Sequence, residues 1–131
     1  MSDNPAQLLA SAPYFPVADV TASAEYYGRV LGFTTAYAGG TEFAIVNRDG
    51  LSIMLRRVKE PDRIRPSEQQ GGTWDAFFWV RGIETLHAEL LANGATIVYG
   101  PIFQASYNVD EFAVRDRDGH VLGFGEQREA Q

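Results

Sequence analysis

Residues 42–50 read Glu-Phe-Ala-Ile-Val-Asn-Arg-Asp-Gly, and residues 111–119 read Glu-Phe-Ala-Val-Arg-Asp-Arg-Asp-Gly. Six of the nine positions are identical at an offset of 69, and a seventh exchanges Ile for Val. A near-copy of this size in 131 residues implies two copies of one supersecondary unit, which bury their cores against each other. The repeat also aligns the chain with itself. Each copy shows which positions of the other serve the fold and which are free for function.

Reading outward from the matched runs gives the same element order twice. The first copy predicts a strand over 14–17, a helix over 21–31 and strands over 33–37, 42–47 and 51–57. Tyr27, Val30 and Leu31 recur at helical spacing before Gly32. Asp49-Gly50 sits between two alternating runs, a strong hairpin signal. The second copy predicts a strand over 76–80, a helix over 83–93 ending at Gly94, and strands over 96–99, 109–116 and 120–126, with Asp118-Gly119 as the hairpin turn. The offset is 62 at Gly32/Gly94 and 69 at the Asp-Gly turns. The second copy therefore carries seven extra residues, which this reading places in a loop over 100–108, where function tends to accumulate. Domain organisation is read as one domain over 1–131: a first module at 12–57, a linker at 58–73 and a second module at 74–127.

Composition narrows the function. There is no cysteine, hence no disulfide, thiolate metal site or thiol nucleophile. The basic residues Arg56, Arg57, Lys59, Arg63 and Arg65 are diluted by Glu60 and Asp62, and the net charge is −6, which argues against nucleic acid. No apolar run approaches the roughly 20 residues of a bilayer span. The first ten residues lack a basic start and a long apolar middle, so a cytoplasmic location is expected.

The repeated β-α-β-β-β order, with Tyr26-Tyr27-Gly-Arg-Val-Leu31-Gly32-Phe33 and Asp116-Arg-Asp118-Gly119-His-Val-Leu122-Gly-Phe124, resembles the vicinal oxygen chelate superfamily. That group holds glyoxalase I, extradiol dioxygenases, and fosfomycin- and bleomycin-resistance proteins. The likeness covers roughly 12–127, and the run from Glu111 is most similar to the bleomycin-resistance branch. It implies an α+β fold in which two βαβββ repeats form a curved mixed sheet, a half-barrel around a ligand cavity. It also implies a homodimer with the groove between subunits.

Strand alternation separates two faces. Phe15, Val17, Ile53, Leu55, Phe78, Val80, Leu122 and Phe124 are all apolar and are assigned to the helices. The opposite set includes Tyr14, Met54, Arg56, Asp75, Phe77 and Trp79 and is assigned to the hollow. Catalytic relatives hold a divalent ion at four points, which fall here on Ala12, Met54, Asp75 and Gly123. Only one of these is a metal-type side chain, so no metal and no cofactor is expected. His87 is read as a solvated helix position and His120 as a turn flank.

Glu42 and Glu111 share a place in both copies, which favours a fold role. Asp75, whose mate is Ala12, is the asymmetric acid and the candidate partner for a ligand cation or a base. Arg56 is the candidate for an anion. Phe103 and Tyr107 on the extra segment are candidates for stacking on a flat ligand. The leading reading is a metal-free small-molecule binding protein that sequesters a planar ligand, with a cationic one favoured by the acidic surface. The alternatives are a lyase or isomerase using Asp75 or Glu111 as base, and an interaction module whose cavity is filled by its own side chains.

Overall fold

A computed structural model describes residues 5–129. The first module comprises β1 (Tyr14–Val17), α1 (Val20–Arg29), β2 (Thr34–Gly39), β3 (Phe43–Arg48) and β4 (Leu51–Arg57). The second comprises β5 (Ala76–Trp79), α2 (Ile83–Ala92), β6 (Thr96–Gln104), β7 (Val109–Arg115) and β8 (Val121–Gln127). Each builds its own four-stranded mixed sheet, ordered β1-β4-β3-β2 and β5-β8-β7-β6. The α+β arrangement of two βαβββ repeats is thus present. Within each, the opening strand runs parallel to the closing strand, and the remaining pairs are antiparallel.

Helix α1 starts where Asp19 accepts a hydrogen bond from the Ala22 amide at 3.0 Å, satisfying one of the free amides of a helix start. Both helices cover the same side of their sheets; six of the eight apolar residues assigned to that side lie in one core that spans the two modules, and Phe78 and Val80 pack against it. Phe33 meets Phe78 across the modules, and Phe78, Phe124 and Phe112 stack in series. The linker is not featureless: it makes two 3-10 turns, Pro61–Arg63 and Ser67–Gln70, and Glu68 forms a two-pronged ion pair with Arg115 of β7.

Two expectations need correction. The seven extra residues do not form a loop over 100–108. They lengthen the β6–β7 hairpin, with Ile102 opposite Glu111 and Gln104 opposite Val109, because pairing satisfies their amides and carbonyls. The second correction concerns the repeat itself. In the first module Arg48 pairs with Leu51, a two-residue turn in which Asp49 (φ 52°) and Gly50 (φ 79°) are both left-handed. In the second, Asp116 pairs with His120, leaving Arg117, Asp118 and Gly119 in the turn. The Asp116 carboxylate holds that wider turn by accepting from the Asp118 and His120 amides, each at 2.9 Å. One extra turn residue shifts the register by one, and a one-residue shift exchanges the faces of a strand. Ala44 and Val46 therefore point to the helices in β3, whereas Phe112 and Val114 do so in β7.

Candidate functional site

The site is built on the sheet faces that point away from the helices. In the second module this face is crowded. Glu111 lies opposite Gly125, and Ala113 opposite Gly123, so two glycines leave room beside a carboxylate. A Cβ on Gly123 would come within 2.6 Å of the Trp74 ring, and one on Gly125 within 2.6 Å of Phe77. Both rings lie on the sheet where those side chains would be. Trp74 and Phe77 are 4.6 Å apart, and Phe77 meets Trp79 edge-on at 5.0 Å.

Glu111 is fully buried at the centre of this wall. Its partners are tyrosine hydroxyls: Tyr99 donates to one oxygen, and Tyr107 donates to the other at 2.5 Å. The Tyr99 hydroxyl in turn accepts from the Trp74 indole at 2.8 Å. Burial and then the bond to Glu111 push Tyr107 up to about 12, and the same causes, in the same order, carry Tyr99 well above its ordinary value. Both hydroxyls therefore keep their protons at neutral pH and remain donors to the carboxylate. No Lys, Arg or His side chain within salt-bridge distance of Glu111 occurs among the described residues.

The first module presents the same face open. Tyr14 lies opposite Met54, and Met54 opposite Ile45. Tyr14 is 58% and Tyr37 55% exposed, and Tyr37 packs on Phe43 at 6.1 Å. Arg56 stands at one end, exposed and opposite Phe43.

Of the residues named from the sequence, Phe77, Trp79, Tyr107 and Glu111 come together in the second module, and Tyr14, Met54 and Arg56 in the first. Phe103 stands apart: its ring lies under the Arg128 guanidinium at 3.8 Å, which Asp110 holds in place. Asp75 is placed differently from expectation. Its oxygens accept from the Ser67 amide at 2.9 Å and the Val121 amide at 2.8 Å, tying the linker to β8. Asp75 is thereby tied into the backbone, and the acid at the centre of this face is Glu111. Glu42 does not share that role; it is exposed and pairs with Arg57 at 3.1 Å.

His120 does flank its turn, but neither histidine is a solvated side chain. His120 is buried and lies flat on Phe15, with ring centroids 4.3 Å apart, while its Nδ1 faces Asp116 at 3.0 Å. Asp116 also accepts from the Tyr27 hydroxyl of α1 at 2.7 Å, so this trio joins the modules. His87 is half-buried and meets Phe112 edge-on at 5.1 Å. Trp74, Tyr99 and Tyr37 were missed: Trp74 precedes β5, and register shifts displace Tyr99 in β6 and Tyr37 in β2 from simple alternation.

The divalent ion of the catalytic relatives does not fit these residues. Ala12 and Gly123 carry no donor, the place a side chain would take at Gly123 is filled by Trp74, and Asp75 is held by backbone amides. Asp116, Asp118 and His120 form the one grouping of three metal-type side chains among the described residues. It sits at the module joint, where Asp116 already accepts from Tyr27 and from two amides.

A family model for the Glyoxalase/Bleomycin resistance protein/Dioxygenase superfamily matches residues 9–124. The chain belongs to that superfamily. Members with solved structures share this arrangement over nearly the whole chain. TioX from Micromonospora sp. ML1 is 24% identical, with a TM-score of 0.70 over 92% of this chain and 99% of that one. The bleomycin-binding protein of bleomycin-producing Streptomyces verticillus, solved with copper(II)-bleomycin, is 21% identical, with a TM-score of 0.67 over 95% and 100%. An integron cassette protein of V. Cholerae is 17% identical, with a TM-score of 0.66 over 94% and 99%. At these identities the likeness is one of fold. No curated protein sequence matches the chain. Among the described residues, no helix of this superfamily member is long and apolar enough to cross a membrane.

Proposed function

We propose that the protein binds and sequesters a flat, cationic small molecule against the helix-distal face of its second module. The observation that carries this reading is Glu111. A carboxylate buried without a cation, ringed by Trp74, Phe77, Tyr99 and Tyr107, offers aromatic surfaces for stacking and one charge for pairing. A ligand cation would supply the partner that the chain itself withholds. The copper(II)-bleomycin complex of a protein of the same fold supports a small-molecule role.

The open face of the first module completes the site from a second copy. Tyr14, Tyr37, Phe43 and Met54 form an apolar surface that a homodimer would bring opposite Glu111, with Arg56 at the rim. Binding is favoured over lyase or isomerase chemistry because neither candidate base is free. Both oxygens of Asp75 accept from amides, and both oxygens of Glu111 from tyrosines that hold their protons. The cytoplasm is the compartment proposed for this cysteine-free chain.

Titration with proflavine and with bleomycin, followed by tryptophan fluorescence, tests the reading. Saturable quenching is expected, and Trp79→Ala should weaken binding by roughly 1–3 kcal/mol, the usual range for an aromatic anchor. Sedimentation should give the mass of two chains. An unquenched spectrum with both ligands at millimolar concentration would remove the proposal.

A further inference from the structure

The repeat creates two equivalent seams between the modules, and one is sealed while the other is open. At the sealed seam His120 covers Phe15, and both are buried. The internal mate of Phe15 is Phe78, at an offset of 63, and the mate of His120 is Leu51, at an offset of 69. The two-residue turn leaves Leu51 50% exposed rather than folded over Phe78 as a plug. What remains is a pocket of about 520 Å³, lined by Leu31, Phe33, Leu51, Phe78, Leu86 and Phe124.

The rim of this pocket is charged, and its charges are unevenly used. Glu89 grips Arg48 with two hydrogen bonds of 2.7 and 3.0 Å, and Asp49 turns to the same guanidinium at 3.7 Å. Both rim acids therefore turn to Arg48, Glu89 tightly and Asp49 loosely from solvent. Arg81 also lines the pocket, is exposed, and makes no ion pair among the described residues. Phe124 points into the pocket from β8, whereas its neighbours Gly123 and Gly125 face Glu111's side of the sheet. The two sites thus lie on opposite faces of one sheet and share only Trp79, which lines this pocket and meets Phe77 on the other side.

We infer that this seam pocket is a second small-molecule site, one that takes an apolar or aromatic body carrying an anionic head group, with the head against Arg81. The volume lies within the roughly 300–1,000 Å³ range of ligand pockets, and apolar walls with one uncommitted charge at the mouth are the usual composition of such sites. Its charge preference is the reverse of that at Glu111, so one chain would hold ligands of opposite sign on opposite faces of its second sheet.

The probe is 1-anilinonaphthalene-8-sulfonate, with its uncharged parent N-phenyl-1-naphthylamine as comparison. One sulfonate should bind per chain with enhanced emission, moving the backbone amide resonances of Leu31, Leu51, Thr85 and Leu86. Leu51→Trp, which fills the pocket from a half-exposed position, should weaken binding at least tenfold while keeping a cooperative melt. Arg81→Ala should weaken the sulfonate at least threefold and leave the uncharged parent unchanged. Glu111→Gln should alter neither, which separates failure here from failure of the cation site. Wild-type affinity in Leu51→Trp, equal effects of Arg81→Ala on both probes, or shifts centred on Tyr14, Met54 and Glu111 would overturn the inference. A two-chain assembly in which the pocket amides do not respond to the probe would also overturn it, showing that a second copy covers the pocket.

Discussion

The two modules carry almost the same nine residues and use them on opposite faces. In the first, Glu42 is an exposed partner of Arg57 and Phe43 lies on the helix-distal face. In the second, Glu111 is buried on the helix-distal face and Phe112 sits in the core. Nothing in the matched residues requires this difference. It follows from the turn: Asn47 bonds Ser52 at 3.1 Å and the chain reverses in two residues, whereas Asp116 caps the amides of a three-residue reversal. A duplicated segment can therefore gain a buried carboxylate through a change elsewhere in the segment, Asn47 against Asp116, without altering the acid itself.

The strongest challenge to this comparison is to give the first module the second module's turn. Inserting one residue between Arg48 and Asp49 should drive Phe43 and Ile45 toward positions now filled by Ala44 and Val46. Overpacking of that kind costs about 1–3 kcal/mol per site, and two sites together should bring the loss of stability to about 3 kcal/mol or more in urea melts. A variant as stable as the parent would show that turn length does not set the face.

Next in size is the contrast between the repeated acids. Glu111→Ala leaves the Tyr99 and Tyr107 hydroxyls without their acceptor and should cost about 2–4 kcal/mol. Glu42→Ala removes an exposed ion pair and should cost no more than about 0.5 kcal/mol. Comparable losses at the two positions would contradict the opposite placement.

The module joint gives a pH signature. Burial pulls His120 down, but the hydrogen bond and charge of Asp116 outweigh it, so its value in the folded chain is raised above the ordinary 6.5. A raised histidine stabilises fully below its ordinary value, and that contribution is lost as pH rises through the folded value. The melting temperature should therefore fall as pH is taken from about 5.5 to about 8. His120→Asn should flatten this slope, while Leu51→Asn at the equivalent position should leave it intact. Asp118, raised chiefly by burial, adds a change of the same sign at lower pH. A smaller effect than that of Glu111→Ala is expected at Tyr107→Phe, which removes one of two donors to Glu111 and should cost about 1 kcal/mol.

Much of the architecture was legible because it rests on local patterns. Both helices, all eight strands and the eight apolar residues facing the helices follow from periodicity and turn signals. The site was legible only in part. Sequence identity between the copies implied equal roles for Glu42 and Glu111, yet a strand's face depends on register, which a turn sets at a distance. Asp75 looked functional because its mate is Ala12, but the asymmetry reflects a linker that only the second module has to anchor. His120 read as a turn flank because its stacking partner, Phe15, is 105 residues earlier in the chain. The segment 100–108 read as a loop because nothing in its composition reveals that Ile102, Phe103 and Gln104 pair with the start of β7 and that only 105–108 form the turn.

The most direct test of the account is a proflavine titration of the parent chain, Glu111→Gln and Glu42→Gln under identical conditions. Gln keeps the shape and removes the charge. The account predicts at least a tenfold loss of affinity in Glu111→Gln, about 1.4 kcal/mol, with Glu42→Gln within twofold of the parent. Parent-like binding by Glu111→Gln, or equal losses in both variants, would show that the buried acid is not the cation's partner.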